Sequence, residues 1–360
     1  NLEIPWYNMP SPYLVRIKTG TAKLKGNVAA LLAEKNAKII FCGNTAQEVD
    51  HIESYDAELT NPNGFKITSA YDLKGSFSGN GHTINGTLTM YPYAYVSPDT
   101  YCTSFRLYQN SDYSYKYEIN RNLTLNGKVY SICIVIPEGK ELVINGDCKT
   151  SEIYNYGRYE QNGTLNSRLD NSGTSIINGN FEKGPIDNSG TLDINGDVNA
   201  KYMITLSGGT MSVSGNLTSS SNLSNISCSG EDTTLVLDGN SKQFVQTNSS
   251  VDYTTVFNIL EIKNSSSGGV IFNGYYKVAK LFDHHRNKFT FDKVGKFVDY
   301  DGDGILDNVD PYPTVKSNIT LDVPEGLNAE YGDLLSSVEL PEGWSWKNGD
   351  ERVELGDNLY

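Results

Sequence analysis

A short motif recurs through the middle of the chain: apolar, any residue, apolar, then Asn, Ser or Asp, then Gly. It occurs as LVING ending at Gly146, IING at Gly179, LDING at Gly196, MSVSG at Gly215 and LVLDG at Gly239. With YEQNG at Gly163 included, successive glycines are 17, 16, 17, 19 and 24 residues apart. The clearest pair, DNSGTSIING and DNSGTLDING, places Asn171 17 residues before Asn188.

Each motif predicts one short strand of alternating β-formers followed by a turn, in which we expect the glycine to adopt a positive φ. A unit this short cannot bury its apolar face alone, whereas stacked units share one continuous core. The repeat therefore favours a parallel β-solenoid. An antiparallel sandwich with Asn-Gly hairpins remains the alternative at this stage.

Two longer segments resemble known repeat proteins. DLKGSFSGNGHTINGTL, residues 72–88, resembles the G-x-F-x-GNGHTI segment of right-handed parallel β-helix proteins of the pectate-lyase-like type. FNILEIKNSSSGGVIFNG, residues 257–274, resembles a unit common in large repetitive surface proteins of Gram-positive bacteria. These resemblances imply a right-handed solenoid in an extracellular protein of a bacterial cell surface, and neither segment carries a catalytic residue.

One segment near the N-terminus has helical character. NVAALLAEKNAK, around Ala29 to Lys38, is rich in helix-forming Ala, Leu, Glu and Lys. An amphipathic helix there would cover the open end of a solenoid, which is otherwise an unpaired sheet edge. We therefore predict a short N-terminal capping helix.

A cluster of aspartates marks the end of the repeats. DYDGDGILDNVDPYP, residues 299–313, has the DxDxDGxxDxxD spacing of an EF-hand-like loop, with Gly304 at its sharp turn. The candidate oxygen ligands are Asp299, Asp301, Asp303, the carbonyl of Ile305, Asp307 and Asp310. Hard oxygen ligands favour Ca²⁺, and Pro311 and Pro313 prevent the flanking helix of a regulatory EF-hand. The loop resembles the thrombospondin type-3-like calcium repeats of extracellular proteins.

The sequence changes character again after this loop. The run from Tyr331 to Trp346, including LPEGWSW, resembles the short Ig-like repeats of bacterial surface proteins. The predicted chain is thus all-β, with a cap and first strands in residues 1–60, a solenoid in 61–298, a calcium-binding loop in 299–313 and a partial Ig-like, β-sandwich-like module in 317–360.

Tyrosines form the second candidate site. They alternate along the chain in two triplets, which in strands would place each triplet on one face. The candidate ligand-binding residues are Tyr91, Tyr93, Tyr95, Tyr113, Tyr115 and Tyr117. Exposed rings would form a platform for sugar stacking or protein contacts, whereas rings packed inward would cover the core.

Charge and cysteine content exclude several classes of function. The net charge of -14 argues against nucleic acid or an anionic bilayer as the main partner, and no apolar run is long enough for membrane insertion. The five cysteines lack CxxC spacing, so most are expected to be free, with a Cys133–Cys148 bridge possible. In DHHRNK, His284 and His285 are expected in a surface turn.

The function expected from these features is binding or adhesion at a cell surface, with a glycan or a host or cell-surface protein as partner. A polysaccharide lyase or glycosidase is the rival, and a structural spacer is a third possibility. An enzyme would need acidic and basic side chains gathered from three successive turns on one face. Asp147, Asp197 and Asp238 follow or precede the repeating glycine, where aspartate is favoured as a turn residue, so no catalytic pair is assigned.

Overall fold

The structure is a computed structural model of the whole chain, which divides into two compact units, Asn1–Thr314 and Val315–Tyr360. The residues that it describes are 2–4, 14–45, 47–61, 65–79, 83–91, 94–98, 100–108, 116–219, 226–228, 230, 232–247, 255–285, 289–292, 296–297, 329–340, 346 and 349–353.

The described part of the first unit consists of strands joined by turns. The first ten are β1 Leu2–Ile4, β2 Leu14–Leu24, β3 Val28–Phe41, β4 Gln47–Leu59, β5 Phe65–Gly79, β6 Thr83–Met90, β7 Tyr95–Val96, β8 Tyr101–Leu107, β9 Lys116–Glu118 and β10 Leu123–Tyr130. The next eleven are β11 Cys133–Ile136, β12 Glu141–Ile144, β13 Cys148–Asn155, β14 Arg158–Gln161, β15 Leu165–Asn171, β16 Thr174–Ile177, β17 Phe181–Glu182, β18 Ile186–Asn188, β19 Thr191–Ile194, β20 Val198–Ala200 and β21 Ile204–Leu206. The last ten are β22 Thr210–Val213, β23 Leu217–Ser219, β24 Ile226–Cys228, β25 Thr234–Leu237, β26 Gln243–Gln246, β27 Thr255–Ile262, β28 Val270–Asn273, β29 Tyr275–Asp283, β30 Phe289–Phe291 and β31 Lys296–Phe297.

These strands pair in parallel with the corresponding strand one turn later, and together they form three stacked columns. Face A consists of β12, β14, β16, β19, β22 and β25. Face B consists of β15, β17, β20, β23, β26 and β28. Face C consists of β11, β13, β15, β18, β21 and β24, where β15 bends from face B into face C. The parallel pairing confirms the predicted β-solenoid and rules out the antiparallel sandwich for the described strands.

The core lies inside the stack because alternate residues of each strand point inward. On face A, Ile177, Ile194, Val213 and Leu237 follow one another in register, and each is completely buried. Burying an aliphatic side chain of this size contributes about 1.5–3 kcal/mol, so every turn stabilises its neighbours through the same column.

The prediction of an N-terminal capping helix was wrong. The segment forms β3, which pairs with β2 on one side and β4 on the other. Its buried residues Leu31, Ala33, Ala37, Ile39 and Phe41 all have odd numbers, which is the period of a strand. Parallel pairing on both edges outweighs the helical preference of Ala, Leu, Glu and Lys, because intrinsic propensity is only a weak prior. No α-helix occurs among the described residues.

The repeating glycines have a different role from the one expected. Gly163, Gly179 and Gly196 do not adopt a positive φ. A Cβ on Gly179 would instead lie 2.4 Å from the carbonyl oxygen of Gly163, and a Cβ on Gly196 equally close to that of Gly179. Glycine is therefore required because successive turns approach closely at the corner between faces A and B.

The second unit is described over a short part of its length. There, a 3₁₀ turn spans Leu335–Ser337, and Leu334 forms an antiparallel bridge with Arg352. The indole nitrogen of Trp346 donates a hydrogen bond to the carbonyl of Val338 at 3.0 Å.

Candidate functional site

The predicted calcium ligands cannot be placed. Asp299, Asp301, Asp303, Ile305, Asp307 and Asp310 all lie outside the described residues. Among the residues that are described, no group of three or more His, Cys, Asp or Glu side chains is arranged to hold a metal ion.

The tyrosine candidates are described in part. Tyr93, Tyr113 and Tyr115 fall outside the described residues, and of Tyr95 only the backbone is described. Tyr117 is buried, and its hydroxyl donates a hydrogen bond to the carbonyl of Tyr91 at 3.3 Å. Burial raises the pKa of Tyr117. This ring therefore covers the core and is not part of an exposed platform.

Two smaller expectations agree with the structure. His284 and His285 lie in an exposed turn after β29, with the His284 Nε2 3.7 Å from a Glu261 carboxylate oxygen. All five cysteines are free thiols, so the possible bridge between Cys133 and Cys148 does not form.

A column of four stacked residues, three polar and one aromatic, runs across four turns at the edge of face B. Asn180, Asp197, Asn216 and Phe244 precede the inward residues of β17, β20, β23 and β26 and are stacked by the pairing of those strands. We call these four residues the face-B column. Because they occupy equivalent positions, their spacing along the solenoid is the strand separation of about 4.8 Å.

Side chains of the face-B column are oriented by the backbone of the next turn. Asn180 Oδ1 accepts a hydrogen bond from the Asp197 amide at 3.0 Å, and Asp197 Oδ1 accepts one from the Asn216 amide at 2.7 Å. Asn216 Oδ1 accepts in turn from the Phe244 amide at 2.9 Å. Asn180, Asp197 and Asn216 each use one side-chain oxygen in this way, and among the described residues the second polar atom of each has no hydrogen-bond partner.

Two adjoining surface depressions meet at this column. One is lined by Asn180, Glu182, Asp197, Val198, Asn199, Asn216 and Thr218. The other is lined by Asn180, Asn195, Gly196, Asp197, Ser214, Gly215, Asp238, Asn240 and Ser241. We call the combined surface the face-B groove. Among the residues that the structure describes, its lining contains amides, hydroxyls and carboxylates and no lysine or arginine.

The outer wall of the groove is a ladder of polar side chains on the corner between faces A and B. Asn195 Nδ2 donates to Asn178 Oδ1 at 2.8 Å, and two turns later Ser214 Oγ donates to Asp238 Oδ1 at 2.8 Å. Burial and the nearby charge of Asp238 raise the pKa of Asp193 on face A. The wall is thus a fixed polar surface.

An aromatic ring follows Asn216 in the face-B column, outside the two linings that define the groove. Phe244 is 45% exposed. The Lys242 ammonium lies 5.1 Å from the centre of its ring, within cation–π distance. Face B therefore presents an apolar ring in line with a row of hydrogen-bonding groups.

Face C carries a second, charged cluster. Arg168 Nη2 is 2.8 Å from Asp187 Oδ2, and the Tyr154 hydroxyl donates to Glu152 Oε2 at 2.9 Å. Asp170 pairs in register with Tyr154 on one side and Asp187 on the other. Burial, followed by the charge of Asp187, raises the pKa of Asp170. Glu152, Arg168 and Asp187 come from three successive turns.

No known relative indicates a role for the face-B groove or for the face-C cluster. No protein-family model, curated protein or solved structure matches this chain. Within the described ranges, no helix is long and apolar enough to cross a membrane.

Sequence reasoning missed the face-B column, although the signal is present. The residue after the repeating glycine is Asn180, Asp197 or Asn216 in successive turns. Asp197 was interpreted as a turn former, which explains one aspartate but not a stack. Parallel register would have placed Asn180, Asp197 and Asn216 in one line.

Proposed function

We propose that the protein is an extracellular binding or adhesion module of a bacterial cell surface that recognises a glycan through the face-B groove. The observation that carries the proposal is the alignment of Asn180, Asp197 and Asn216 with the exposed ring of Phe244. Side-chain amides can donate to and accept from sugar hydroxyls, carboxylates accept from them, and an aromatic face packs against the apolar face of a sugar ring. A linear polymer would lie along the column and meet equivalent groups on successive turns.

The charge of the groove selects the class of glycan. Glu182, Asp197 and Asp238 line it, and they outnumber the one ammonium group placed beside it, that of Lys242 over the Phe244 ring. Uronate or sulfate groups would be repelled by these carboxylates. The ligand that fits is therefore a neutral or N-acetylated amino-sugar polymer.

The surrounding architecture of the proposal rests on sequence. The aspartate spacing of residues 299–313 supports a Ca²⁺ site that stabilises the end of the solenoid. The resemblances of residues 72–88 and 331–346 support a right-handed coil and an Ig-like continuation. Right-handedness also agrees with the strong preference of parallel crossovers. A protein built in this way would act outside the cell, as the repetitive surface proteins that it resembles do.

A second candidate function is polysaccharide cleavage at the face-C cluster. It is favoured by the acidic and basic side chains gathered from three turns and by the raised pKa of Asp170, which suits a general acid. The ion pair between Arg168 and Asp187 and the hydrogen bond between Tyr154 and Glu152 account for most of the cluster without a substrate. Binding in the face-B groove therefore remains the first proposal. If neither site has a ligand, the protein is a structural spacer.

Titration calorimetry on the full chain tests the proposal. The probes are hexasaccharides of β-linked glucose and of N-acetylglucosamine, with oligogalacturonate as the anionic probe. We expect binding of a neutral probe and loss of about tenfold in affinity in Phe244→Ala, since an aromatic contact worth about 1.4 kcal/mol is removed.

Phe282→Ala is the matched control. Phe282 is 49% exposed, compared with 45% for Phe244. It lies in β29, where the register places it two turns beyond Val236 of face A. Its loss should leave affinity unchanged. An equal loss of affinity in both variants, or binding of oligogalacturonate alone, would show that the face-B groove is not the binding site. Release of reducing ends from either hexasaccharide would favour the enzyme.

A further inference from the structure

The chain contains the same polar corner twice, near opposite ends of the solenoid. The segments are Gly43-Asn44-Thr45-Ala46-Gln47 and Gly239-Asn240-Ser241-Lys242-Gln243. In both, the glycine and glutamine are buried, while the asparagine and the hydroxyl residue are exposed. The second replaces the shorter glycine turn found at the preceding corners between faces A and B, and the first lies at the corresponding turn between β3 and β4.

At the second copy, one buried glutamine connects three turns. Gln243 Oε1 accepts hydrogen bonds from the Gly239 amide at 3.0 Å and from Asn264 Nδ2 at 2.7 Å. Its Nε2 donates to the carbonyls of Val213 at 2.9 Å and Gly215 at 2.8 Å. The side chain is 1% exposed, so these bonds form away from water.

The first copy repeats this arrangement bond for bond. Gln47 Oε1 accepts from the Gly43 amide at 2.8 Å and from Asn61 Nδ2 at 2.9 Å. Its Nε2 donates to the carbonyls of Leu24 at 3.1 Å and Gly26 at 2.9 Å. Gln47 is also 1% exposed. The two glutamines therefore have equivalent structural roles.

Only the second copy borders the face-B groove. Asn240 and Ser241, in the loop that Gln243 closes, line the groove, and Gly215 is both a lining residue and an acceptor from Gln243. Gln243 also directly precedes Phe244. We infer that Gln243 is a positioning residue for glycan binding, which holds the loop wall, the Gly215 backbone and the aromatic ring in one arrangement. This inference rests on the proposed function.

The matched substitutions Gln243→Glu and Gln47→Glu separate positioning from general stability. Each replaces a donor by a carboxylate oxygen that faces two carbonyl oxygens, so each should lower the melting temperature by a similar amount. Affinity of the full chain for the hexasaccharide that the wild type binds is then measured well below both melting points. We expect a loss of tenfold or more in Q243E and less than a twofold change in Q47E.

The pH profile gives a readout that general destabilisation would not produce. At a pH where the new glutamate is protonated, its hydroxyl can donate to one carbonyl, so the affinity of Q243E should approach that of the wild type at the same pH. If Q243E does not fold, the uncharged variants Gln243→Met and Gln47→Met replace the pair, with the same expected contrast.

Each outcome decides a specific claim. Equal affinity losses in both variants, or unchanged affinity in Q243E while Asn216→Ala abolishes binding, would overturn the positioning role and leave the groove intact. A wild-type chain that binds neither hexasaccharide would overturn the proposed function and the positioning role together.

Discussion

Asn171 donates a hydrogen bond from Nδ2 to Oδ1 of Asn188 at 2.7 Å, and both side chains are completely buried inside the solenoid. One turn earlier, Asn155 makes the same bond to Asn171 at 2.8 Å. The two bonds form a buried ladder on face C, in which every polar atom of Asn171 is paired. Apolar side chains alone would allow neighbouring turns to slip, whereas this ladder fixes their register.

Asn171→Ala should therefore be strongly destabilising. It leaves the Asn155 donor, the Asn188 acceptor and the Ser175 hydroxyl without this partner, at a cost of about 2–4 kcal/mol. Asn178→Ala, in the exposed outer ladder, should cost less than about 1 kcal/mol because water can replace the lost partners. Thermal melting followed by circular dichroism measures both. Similar melting temperatures for the two variants would show that the buried ladder contributes no more to stability than the exposed ladder.

Gly179→Ala tests the close approach of successive turns. Its Cβ would lie 2.4 Å from the Gly163 carbonyl oxygen, so the backbone of one turn must shift, at a cost of about 1–3 kcal/mol. Gly26→Ala is the control, because nothing lies within 4 Å of a Cβ there. We expect a lower urea midpoint for G179A alone. An unchanged midpoint for G179A would mean that the turns are spaced more widely than in the structure.

Asp170 predicts a pH dependence of stability. Because burial raises the pKa of its carboxyl in the folded state, the folded chain holds this proton more tightly than the unfolded chain. Stability therefore falls as pH rises from the unfolded pKa, about 3.9, through the folded value, and the penalty is complete above it. Asp170→Asn should raise the melting temperature at pH 8 and have little effect at pH 3.

Asp147→Asn is the charge-matched control for this experiment. Asp147 is exposed, and its Oδ1 accepts a hydrogen bond from the Thr164 amide at 3.1 Å, a bond that asparagine can keep. Stabilisation in D170N but not in D147N at pH 8 is the expected result. Loss of stability in D170N at pH 8 would show instead that Arg168 stabilises the ionised carboxylate more than burial penalises it.

Calcium should stabilise the chain through the aspartate loop. A site saturated at 100 times its dissociation constant contributes about 2.7 kcal/mol. The double variant Asp301→Asn, Asp303→Asn should lose the rise in melting temperature with Ca²⁺, while Mg²⁺ at equal concentration should have a smaller effect on the wild type. If a chelator changes neither the melting temperature nor protease cleavage within residues 299–313, the loop is not a calcium site.

The solenoid could be predicted from sequence because its signal is periodic. Motifs ending at Gly146, Gly163, Gly179 and Gly196 recur at nearly constant spacing, and parallel pairing follows from stacking them. The β3 segment was mistaken for a helix because its composition favours a helix locally, whereas the strands that pair with both of its edges are not visible in a local window. Tertiary pairing decided between the two.

The candidate site was harder to predict. The tyrosine pattern that includes Tyr117 left both an exposed platform and inward-packed rings open, because a period-2 pattern fits either face of a strand and only the register shows which face is inward. The face-B column was overlooked because a role in the turn is enough to account for an aspartate at position 197. Its role depends on Asn180 and Asn216 one turn away on either side, a relationship carried by stacking across about 17 residues rather than by local sequence.

Hydroxyl-radical footprinting with mass spectrometry tests glycan binding in the face-B groove on the unmodified chain. Phe244 and Phe282 are similarly exposed and serve as internal reporters on two parts of one chain. With saturating neutral hexasaccharide, we expect oxidation of Phe244 to fall severalfold and oxidation of Phe282 to be unchanged. Undiminished oxidation of Phe244 in the presence of a bound hexasaccharide would contradict glycan binding in the face-B groove.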